Sequence, residues 1–427
     1  MNLKETPYWW TTAPDLPGYA DRPLPQRVDV AVIGSGYTGL SAALQLARSG
    51  AAVAVLEKET IGWGASSRNG GQVLTGLKLG AGELIAQYGL AAAKRLYAAS
   101  LKSLEFLENL VEAEQIDCQY VRCGHLDAAA KANHFAGFQR AQELLAREFD
   151  HPVEIVPRAE QHREIGTDAY YGLIVDARSG ALHPAQYVRG LARAAERAGA
   201  ELLAKTPALR IERDTSGFKI ATGRGTIAAR DVLVATNGYT DAAAPALRRR
   251  VIPIGSYIIA TEPLEAQVVA RLLPRRRVVF DSKNFLHYFR LSSDDRMLFG
   301  GRAAFMPPTP QSNRTSAEIL RRDMAQIFPE LRDVRVEFVW SGNVCFTRDM
   351  LPHAGRLEDG MHYAMGYAGH GVAMATYLGV KMADVILGKD DQNPFRDMRF
   401  RAIPLYDGRP WFLPFAAVWF KFLDWIQ

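Results

Sequence analysis

Residues 28–39 read VDVAVIGSGYTG, and this segment sets the organisation of the whole chain. Its first six residues are mostly β-branched or apolar and predict a short buried strand, which three glycines follow at the spacing G-x-G-x-x-G. Residues 40–49 have helical composition, and residues 53–56 predict a second strand that ends on Glu57. This order of elements is a βαβ unit with an acid at the end of its second strand. Such a unit binds the ADP half of a dinucleotide.

The residues of this unit have separate physical roles. Gly34 permits the tight turn, Gly36 lets the backbone approach the pyrophosphate, and Gly39 allows the helix to lie close on the strand. The helix N-terminus attracts the phosphates, and Glu57 is placed to accept hydrogen bonds from the adenosine ribose. The predicted nucleotide-binding residues here are Gly34, Gly36, Tyr37, Thr38, Gly39, Glu57 and Lys58.

The composition narrows the classes of protein to which the chain can belong. Its 427 residues suffice for two domains, and its 48% hydrophobic and 23% charged content is that of a globular protein without a membrane span. The net charge is only +5, and the arginine triplets at 248–250 and 275–277 lack interleaved aromatics, which argues against nucleic acid as a partner. The three cysteines form no CxxC pair and show no metal-ligand spacing, so we expect a cytoplasmic protein without a metal site.

Two further glycine-rich segments follow the first. Residues 61–72 read IGWGASSRNGGQ, and we expect a loop whose backbone N–H groups run along a flat polar ring. Residues 366–372 read GYAGHGV and precede a predicted helix, while residues 231–238 predict a buried strand that returns beneath the ligand. The chain is therefore expected to return twice to its nucleotide-binding domain.

The remaining segments predict a second domain. Amphipathic helices are predicted over 83–114 and 133–149, and Thr315 with Glu318 forms a capping box that predicts the start of another. Alternating runs predict one antiparallel sheet from residues 256–261, 278–281, 286–290 and 297–300, after a small meander of separate strands at 208–213, 217–222 and 225–229. The predicted boundaries are 1–85, 160–245 and 335–400 for the nucleotide-binding domain, 86–159 and 246–334 for the second domain, and 401–427 for an apolar tail.

Four segments carry a resemblance to a known family, namely residues 30–50, 55–72, 232–239 and 366–388. The chain resembles the FAD-dependent amine and amino-acid oxidoreductases, the superfamily that includes D-amino-acid oxidase, glycine oxidase and sarcosine oxidase. The aromatic N-terminal arm, the segment GWGASSRNGGQ and the run from Tyr288 to Arg302 resemble gamma-glutamylputrescine oxidases most. The fold class implied is α/β, with a Rossmann-type FAD-binding domain and a discontinuous second domain on a mostly antiparallel sheet.

The resemblance also implies which residues contact FAD. It places the glycines of the first motif on the pyrophosphate and Glu57 on the ribose, and it puts the N-terminus of the last helix at the flavin edge that becomes negative on reduction. The implied cofactor-binding residues of the later segments are Gly64, Ala65, Ser66, Arg68, Asn69, Gly70, Gly71, Gln72, Asn237, Gly238, Gly369, His370 and Gly371.

The reaction implied is the oxidation of a primary or secondary amine or an amino acid, by an enzyme acting on CH–NH or CH–NH2 groups. A hydride leaves the carbon beside a neutral amine, and the resulting imine is hydrolysed by water. The candidate catalytic residues are His370, Arg302, Tyr288 and Tyr257, with His287 on the same predicted sheet. Arg302 is the candidate partner for a substrate carboxylate, because its planar guanidinium binds one through two hydrogen bonds.

Several alternatives stay open from the sequence. No residue matches the lysine that some of these oxidases place over the flavin, so the electron acceptor is oxygen, a quinone or another protein. An NAD(P)-dependent dehydrogenase and a non-catalytic flavin subunit are the other readings of the first motif. Cys345 lies near the cysteine that links flavin covalently in sarcosine oxidases but at a different offset, so we predict a buried thiol and non-covalent FAD.

The two termini carry unusual numbers of aromatic residues. Residues 1–27 include Tyr8, Trp9 and Trp10 and predict an extended arm that packs these rings on the body of the protein. The tail after Tyr406 is too short to cross a bilayer, so it either packs on the protein or lies on the inner face of the membrane. The single lysine in its apolar run favours packing over membrane contact.

Overall fold

The protein is described by a computed structural model at residues 3–301, 309–389, 392–396, 398–413 and 415. The helices are α1 (Tyr8–Thr11), α2 (Tyr37–Arg48), α3 (Ala81–Tyr88), α4 (Leu90–Ala113), α5 (Ala132–Phe149), α6 (Pro184–Arg197), α7 (Pro245–Arg248), α8 (Ala266–Leu272), α9 (Pro310–Ile327) and α10 (Gly371–Ile386). The strands are β1 (Arg27–Ile33), β2 (Val53–Leu56), β3 (Gln72–Val73), β4 (His125–Ala128), β5 (Glu154–Pro157), β6 (Gly172–Asp176), β7 (Gly180–Ala181), β8 (Glu201–Leu203), β9 (Ala208–Asp214), β10 (Gly217–Thr222), β11 (Gly225–Val234), β12 (Ile252–Thr261), β13 (Val278–Asp281), β14 (His287–Leu291), β15 (Met297–Gly301), β16 (Val336–Phe346), β17 (His353–Arg356) and β18 (His362–Met365).

The first sheet has the strand order β17-β18-β11-β1-β2-β8. β1 lies parallel to β2 and β11, β8 and β18 extend this parallel part, and β17 pairs antiparallel with β18. β9 and β10 form an antiparallel hairpin, and β10 also pairs antiparallel with β11. A central parallel strand flanked by β2 on one side and a late strand on the other is the Rossmann-type arrangement that the first motif predicts.

Both faces of the first sheet are buried, which explains the continuous apolar run of β1. Val30 and Val32 face a core that also contains side chains of α2, α6 and α10. Ala31 and Ile33 point to the opposite face and pack in a core with Phe218 of β10. Because successive side chains of a strand alternate between faces, a strand covered on both sides needs apolar residues at every position.

The second sheet has the order β16-β12-β15-β14-β13-β4-β6-β5 and is mostly antiparallel, with β4 and β13 as a parallel pair. One face packs against α8 and α9 in a core that includes Tyr257, Phe289, Phe299 and Met324. The opposite face is turned toward the carboxyl-end loops of the first sheet. The side chains between the two sheets line the cavity described below.

The structure departs from the sequence prediction in four places. The helix predicted over 83–114 is two helices, α3 and α4, which meet at Gly89. α9 begins at Pro310, and Thr309 caps it by accepting a hydrogen bond from the backbone N–H of Ser312 at 3.1 Å, so the capping box at Thr315 is not used. Residues 225–234 form one strand where two were predicted, because this strand pairs with β10 first and with β1 further on. β6 and β16 lie in ranges assigned to the nucleotide-binding domain, yet both pair in the second sheet; the domain boundaries otherwise stay a prediction.

The described parts of the two termini pack on the body of the protein. Tyr8 and Trp9 are buried in a core shared with β12 and β16. At the other end Leu413 is buried, whereas the tail from residue 414 onward lies outside the described residues except for Phe415. None of the described helices combines the length and apolar character that crossing a bilayer requires.

Candidate active site

The glycine turn between β1 and α2 has the geometry of a phosphate-binding turn. Gly34 takes a φ of +100°, which strains any residue with a side chain. A Cβ on Gly39 would lie 2.0 Å from the backbone oxygen of Gly34, so only glycine lets α2 approach the turn this closely. Gly36 is the N-cap of α2 and supplies no side-chain cap, which leaves the positive end of the helix dipole facing the cavity.

Glu57 directly follows β2 and is held in a fixed orientation. Its Oε2 accepts hydrogen bonds from the backbone N–H of Ser35 at 3.0 Å and from the Ser35 hydroxyl at 2.6 Å. Its Oε1 accepts from the backbone N–H of Glu59 at 2.9 Å. Each carboxylate oxygen can accept more than one hydrogen bond, so Glu57 keeps acceptor capacity for a ribose at the cavity wall.

The loop over residues 62–72 is bonded to the turn of α2. Ser66 Oγ accepts a hydrogen bond from the backbone N–H of Tyr37 at 2.9 Å, and a Cβ on Gly36 would lie 2.9 Å from the same oxygen. The amide of Asn69 closes the loop on itself, because its Nδ2 donates to Ala65 O at 3.0 Å and its Oδ1 accepts from Gly71 N–H at 2.8 Å. These bonds fix the loop that was predicted to run along the flavin ring.

Arg68 is the charged residue of this loop and is enclosed by aromatic rings. Its guanidinium lies 4.2 Å from the ring centre of Trp63 and 4.6 Å from that of Trp10. Its Nε donates to Trp63 O at 2.8 Å and one terminal nitrogen donates to Ser341 O at 3.2 Å. Burial lowers the pKa of Arg68, yet a guanidinium keeps its charge in proteins, so this is a fixed positive charge on the cavity wall.

The C-terminal glycine-rich loop closes the other end of the site. The backbone N–H of Gly366 donates to Asn237 Oδ1 at 2.9 Å, which ties this loop to the end of β11. The hydroxyls of Thr38 and Tyr367 form a hydrogen bond of 2.7 Å that joins the loop to α2. α10 then begins at Gly371, so a second helix N-terminus points at the same cavity as α2.

His370 is the N-cap of α10 and lines the cavity as a neutral imidazole. Burial, which is the larger cause, and the positive charge of Lys78 together lower its pKa to about 3. Within the described residues its Nδ1 is buried without a hydrogen-bond partner. The ring therefore has a polar atom for which the described part of the protein supplies no partner.

The cavity between the two sheets has a volume of about 850 Å³. Its lining includes Gly36 and His370, the N-cap residues of α2 and α10, and neither caps its helix with a side chain. Two helix N-termini therefore face one space, and the carboxylate of Glu57 lies on the same wall. An elongated group with a central diphosphate, a ribose and a ring that becomes anionic fits these features. The residues present thus fit FAD, the cofactor implied by the sequence.

The second sheet contributes one straight row of residues to this cavity. Asp127 of β4 is paired with Phe280 of β13, which is paired with Tyr288 of β14, and across β15 the row continues to Ile258 of β12. All four side chains line the cavity, as expected for residues directly opposite one another on a pleated sheet. This row is called the sheet wall below.

Tyr288 lies where the sheet wall meets the glycine-rich loop. A Cβ on Gly300 would come within 2.3 Å of its ring, and one on Gly70 within 3.2 Å, so two glycines make room for the ring. Its hydroxyl forms a hydrogen bond of 2.9 Å with Ser256 Oγ. The structure thus brings this predicted catalytic residue next to the predicted flavin loop.

Most predicted site residues line the cavity, but three predicted glycines do not. The residues on the wall are Gly34, Gly36, Tyr37, Thr38, Glu57, Lys58, Gly64, Ala65, Ser66, Arg68, Asn69, Gly70, Gln72, Asn237, Tyr288, Gly369, His370 and Gly371. Gly39, Gly71 and Gly238 do not belong to this lining. Gly71 is needed because its Cβ would lie 2.2 Å from Leu182 O, whereas a Cβ on Gly238 would make a tight contact of 3.1 Å with that of Asn343.

Two residues predicted to face the substrate point the other way. Tyr257 is buried in the core against α9, where its hydroxyl donates to Ser312 Oγ at 3.0 Å, so its prediction as a catalytic residue is wrong in position. His287 is bonded on the same face to Asp281 and Asp323. Alternation along the strands is the reason, because Ser256 and Tyr288 are the neighbours that face the cavity. Arg302 lies outside the described residues.

Sequence reasoning missed Lys78 and Asp127, as well as Glu59, Glu83 and Asp241, among the charged residues that line the cavity. Lys78 lies in the loop after β3 and has no motif around it. Asp127 has a weak signal, since an acid in a short strand of otherwise buried residues must face something polar. Within the described residues, no cluster of His, Cys, Asp and Glu is arranged to hold a metal ion.

Cys345 also reaches the cavity wall. It is 1% exposed, and burial raises the pKa of its thiol to about 12. A thiol that stays protonated is a poor nucleophile, which agrees with the prediction of a buried, unmodified thiol.

Residues 29–385 match the FAD dependent oxidoreductase family, DAO. The chain belongs to this family. The chain is 35% identical over 421 residues to the probable oxidoreductase OrdL of Rhizobium meliloti (strain 1021), covering 98% of this chain and 96% of the relative. It is 32% identical over 394 residues to the gamma-glutamylputrescine oxidoreductase of Escherichia coli (strain K12), covering 91% of this chain and 90% of the relative.

A solved structure shares the fold of this chain. The crystal structure of glycine oxidase from Geobacillus kaustophilus superimposes with a TM-score of 0.74 at 24% identity, covering 88% of this chain and 99% of that one. The family and this structure confirm the predicted fold class, FAD as the cofactor and the enzyme class of FAD-dependent oxidoreductases. The roles of individual site residues stay predictions.

Proposed function

We propose that this protein oxidises a primary or secondary amine or an amino acid of the gamma-glutamylputrescine kind. In the proposed reaction a hydride leaves the carbon beside the amine nitrogen, and water hydrolyses the imine to an aldehyde or keto product. The observation that carries the proposal is the position of Tyr288, whose ring lies against Gly70 of the predicted flavin loop and whose hydroxyl is bonded to the sheet wall strand β12. A substrate on this wall would lie beside the cofactor loop.

The similarity to a gamma-glutamylputrescine oxidoreductase supports the choice of substrate class. The apolar side chains of Phe280 and Ile258 on the sheet wall support it as well, because they suit an aliphatic amine chain. An amino-acid carboxylate would need a fixed cation, and Arg68 is the described guanidinium on the wall. The cytoplasmic location and any membrane contact of the tail remain predictions from the sequence.

The residues of the chain would bind and orient the reactants. When bound, FAD supplies the hydride acceptor. The turn of Gly34 and Gly36 and the carboxylate of Glu57 would hold its ADP half, and the loop from Gly64 to Gln72 would lie along its ring. The N-terminus of α10 would stabilise negative charge at the ring edge. His370 is neutral, so it would add no positive charge of its own there. Phe280 would exclude water from the reacting carbon.

Anaerobic reduction tests the proposed function. Purified holoprotein is mixed without oxygen with putrescine, gamma-glutamylputrescine, glycine, sarcosine and proline in turn, and the flavin absorbance is followed. The proposal expects bleaching by at least one amine and formation of ammonia or an amine product with an aldehyde or keto acid. Subsequent mixing with oxygen or with a soluble quinone identifies the electron acceptor. A protein that holds FAD and is bleached by none of these compounds would contradict the proposal.

A further inference from the structure

We propose that Asp127 binds a substrate ammonium group, which makes the site selective for cationic amines. This inference deepens the proposed function and rests on it for the identity of the reaction. The ammonium is either the reacting amine, which then transfers a proton to the Asp127 carboxylate and becomes the neutral amine that is oxidised, or a second amine at the far end of the substrate, and the experiments below distinguish the two.

The sheet wall places Asp127 within reach of a substrate that contacts Tyr288. The two residues stand on β4 and β14 with β13 between them, both opposite Phe280. Neighbouring strands lie about 4.8 Å apart, so the two backbones are roughly 10 Å apart across the row. A short aliphatic amine spans this distance, with its carbon chain over the Phe280 ring.

Within the described part of the chain, one oxygen of the Asp127 carboxylate lacks the partner that a buried polar atom requires. Its Oδ1 is buried, and among the described residues it has no hydrogen-bond partner. A buried carboxylate without partners is costly, and an ammonium donor in the cavity would remove this cost through charge-assisted hydrogen bonds. The electrostatics agree, because burial and the negative charge of Asp281 raise the pKa of Asp127 to about 7 against the opposing effect of Lys78.

The other acids near this strand already have partners, which singles out Asp127. Asp281, on the opposite face of the neighbouring strand, accepts a hydrogen bond from the backbone N–H of His287 at 3.0 Å. Asp176, at the end of β6, is bonded to His151 at 3.1 Å and to the Ser179 hydroxyl at 2.8 Å. Asp127 is therefore the carboxylate of this region that faces the cavity with an unused oxygen.

Binding of an amine that cannot react tests the inference without turnover. tert-Butylamine has no hydrogen on the carbon beside nitrogen, so it cannot be oxidised, and at pH 8.5 it is mostly an ammonium ion. Holoprotein is titrated with it, and the shift of the flavin spectrum gives the dissociation constant. We expect Asp127→Asn to weaken binding by about tenfold to a hundredfold, the range of a hydrogen bond to a charged group. The neutral isostere tert-butanol should bind equally to both proteins.

Matched variants separate a binding role from a structural one. Asp127→Glu keeps the charge and should recover part of the affinity. Asp323→Asn removes a carboxylate that lies against the opposite face of the same sheet, where Asp323 is bonded to His287 at 3.2 Å. This variant should leave the affinity for tert-butylammonium unchanged. Flavin content and unfolding temperature are measured for each protein, and Asp127→Glu carries the test if Asp127→Asn does not fold.

Two substrates then locate the ammonium. If Asp127 binds the reacting amine, Asp127→Asn raises KM equally for 1,4-diaminobutane and for its mono-N-acetyl derivative; if it binds a second amine, KM rises for the diamine alone. Either result supports the inference. Unchanged tert-butylammonium affinity in Asp127→Asn overturns it, even if amines still bleach the wild-type flavin. Conversely, Asp127-dependent binding without bleaching by any amine would contradict the proposed function and leave the ammonium site standing.

Discussion

The indole Nε1 of Trp9 donates a hydrogen bond to the backbone oxygen of Asn69 at 2.8 Å. Two further indoles donate hydrogen bonds to the two preceding residues of the loop. Trp10 donates to the side-chain Oγ of Ser67 at 2.9 Å, and Trp340 donates to the backbone oxygen of Arg68 at 2.8 Å. Three consecutive residues of the glycine-rich loop are therefore held by rigid donors from the N-terminal arm and from β16. The aromatic arm thus positions the loop that is predicted to carry the flavin ring.

The first prediction concerns this arm. Trp9→Phe keeps an aromatic ring in a site that is 2% exposed but removes the donor to Asn69 O. An unmade hydrogen bond to a buried group costs about 1–3 kcal/mol, so we expect FAD to bind about tenfold more weakly. Recovery of flavin fluorescence on dilution measures the dissociation constant. Trp411→Phe, at a ring that is 61% exposed, is the control and should bind FAD normally.

The second prediction concerns the phosphate turn. Gly36→Val would place methyl groups against Ser66 Oγ, which a Cβ already approaches to 2.9 Å, and in the path of the pyrophosphate. We expect a folded, colourless apoprotein, because Gly36 precedes α2 and lies outside the cores. Absorbance at the flavin bands and circular dichroism check the two parts of the prediction. Gly18→Val, where a Cβ would meet nothing within 4 Å, should stay yellow; full flavin in Gly36→Val would rule out this turn as the diphosphate site.

The third prediction is that FAD is held without a covalent bond. The Cys345 thiol has a pKa of about 12 because it is buried, so little thiolate exists to attack the flavin. Precipitation with acid should release all the flavin into the supernatant, and Cys345→Ser should remain yellow. Flavin that stays with the precipitate of the parent protein but not of the variant would show a covalent link.

The fourth prediction is a pH dependence of ammonium binding. The pKa of Asp127 is raised to about 7, so its carboxylate is protonated below this pH and ionised above it. The affinity for tert-butylammonium should therefore be constant above about pH 8 and fall by roughly tenfold per pH unit below 7. Among the groups around it, burial lowers the pKa of His125 to about 4 and that of His370 to about 3, so both imidazoles stay neutral in this window. A profile that is equally steep in Asp127→Asn would assign the titration to another group.

The sequence predicts the nucleotide-binding half of the site well because its chemistry is local. Gly34, Gly36 and Glu57 act through a turn and a strand end, and the spacing of 22 residues between Ser35 and Glu57 holds both at one sheet edge. The substrate half depends on which face of each strand is buried. That choice puts Tyr257 against α9 and Tyr288 in the cavity, although both tyrosines lie in strands of the same sheet.

Non-local pairing explains the residues that the sequence could not reveal. Asp127 reaches the cavity only because β4 pairs with β13, across more than 150 residues of chain, and Lys78 only because its loop follows β3. The ranges that contain β6 and β16 were assigned to the nucleotide-binding domain, whereas both strands pair in the second sheet, because their partners are distant in sequence. No periodicity within one segment encodes such partners.

The central claim is that one cavity holds FAD beside an amine bound on the sheet wall. It is tested most directly by anaerobic mixing of the yellow holoprotein with gamma-glutamylputrescine, followed at the flavin absorbance in the wild type and in Tyr288→Phe. The account predicts bleaching in the wild type and bleaching at least tenfold slower or at higher substrate concentration in Tyr288→Phe, which loses the hydroxyl bonded to Ser256 at 2.9 Å. Flavin that stays oxidised in the wild type with every amine tested would contradict the account.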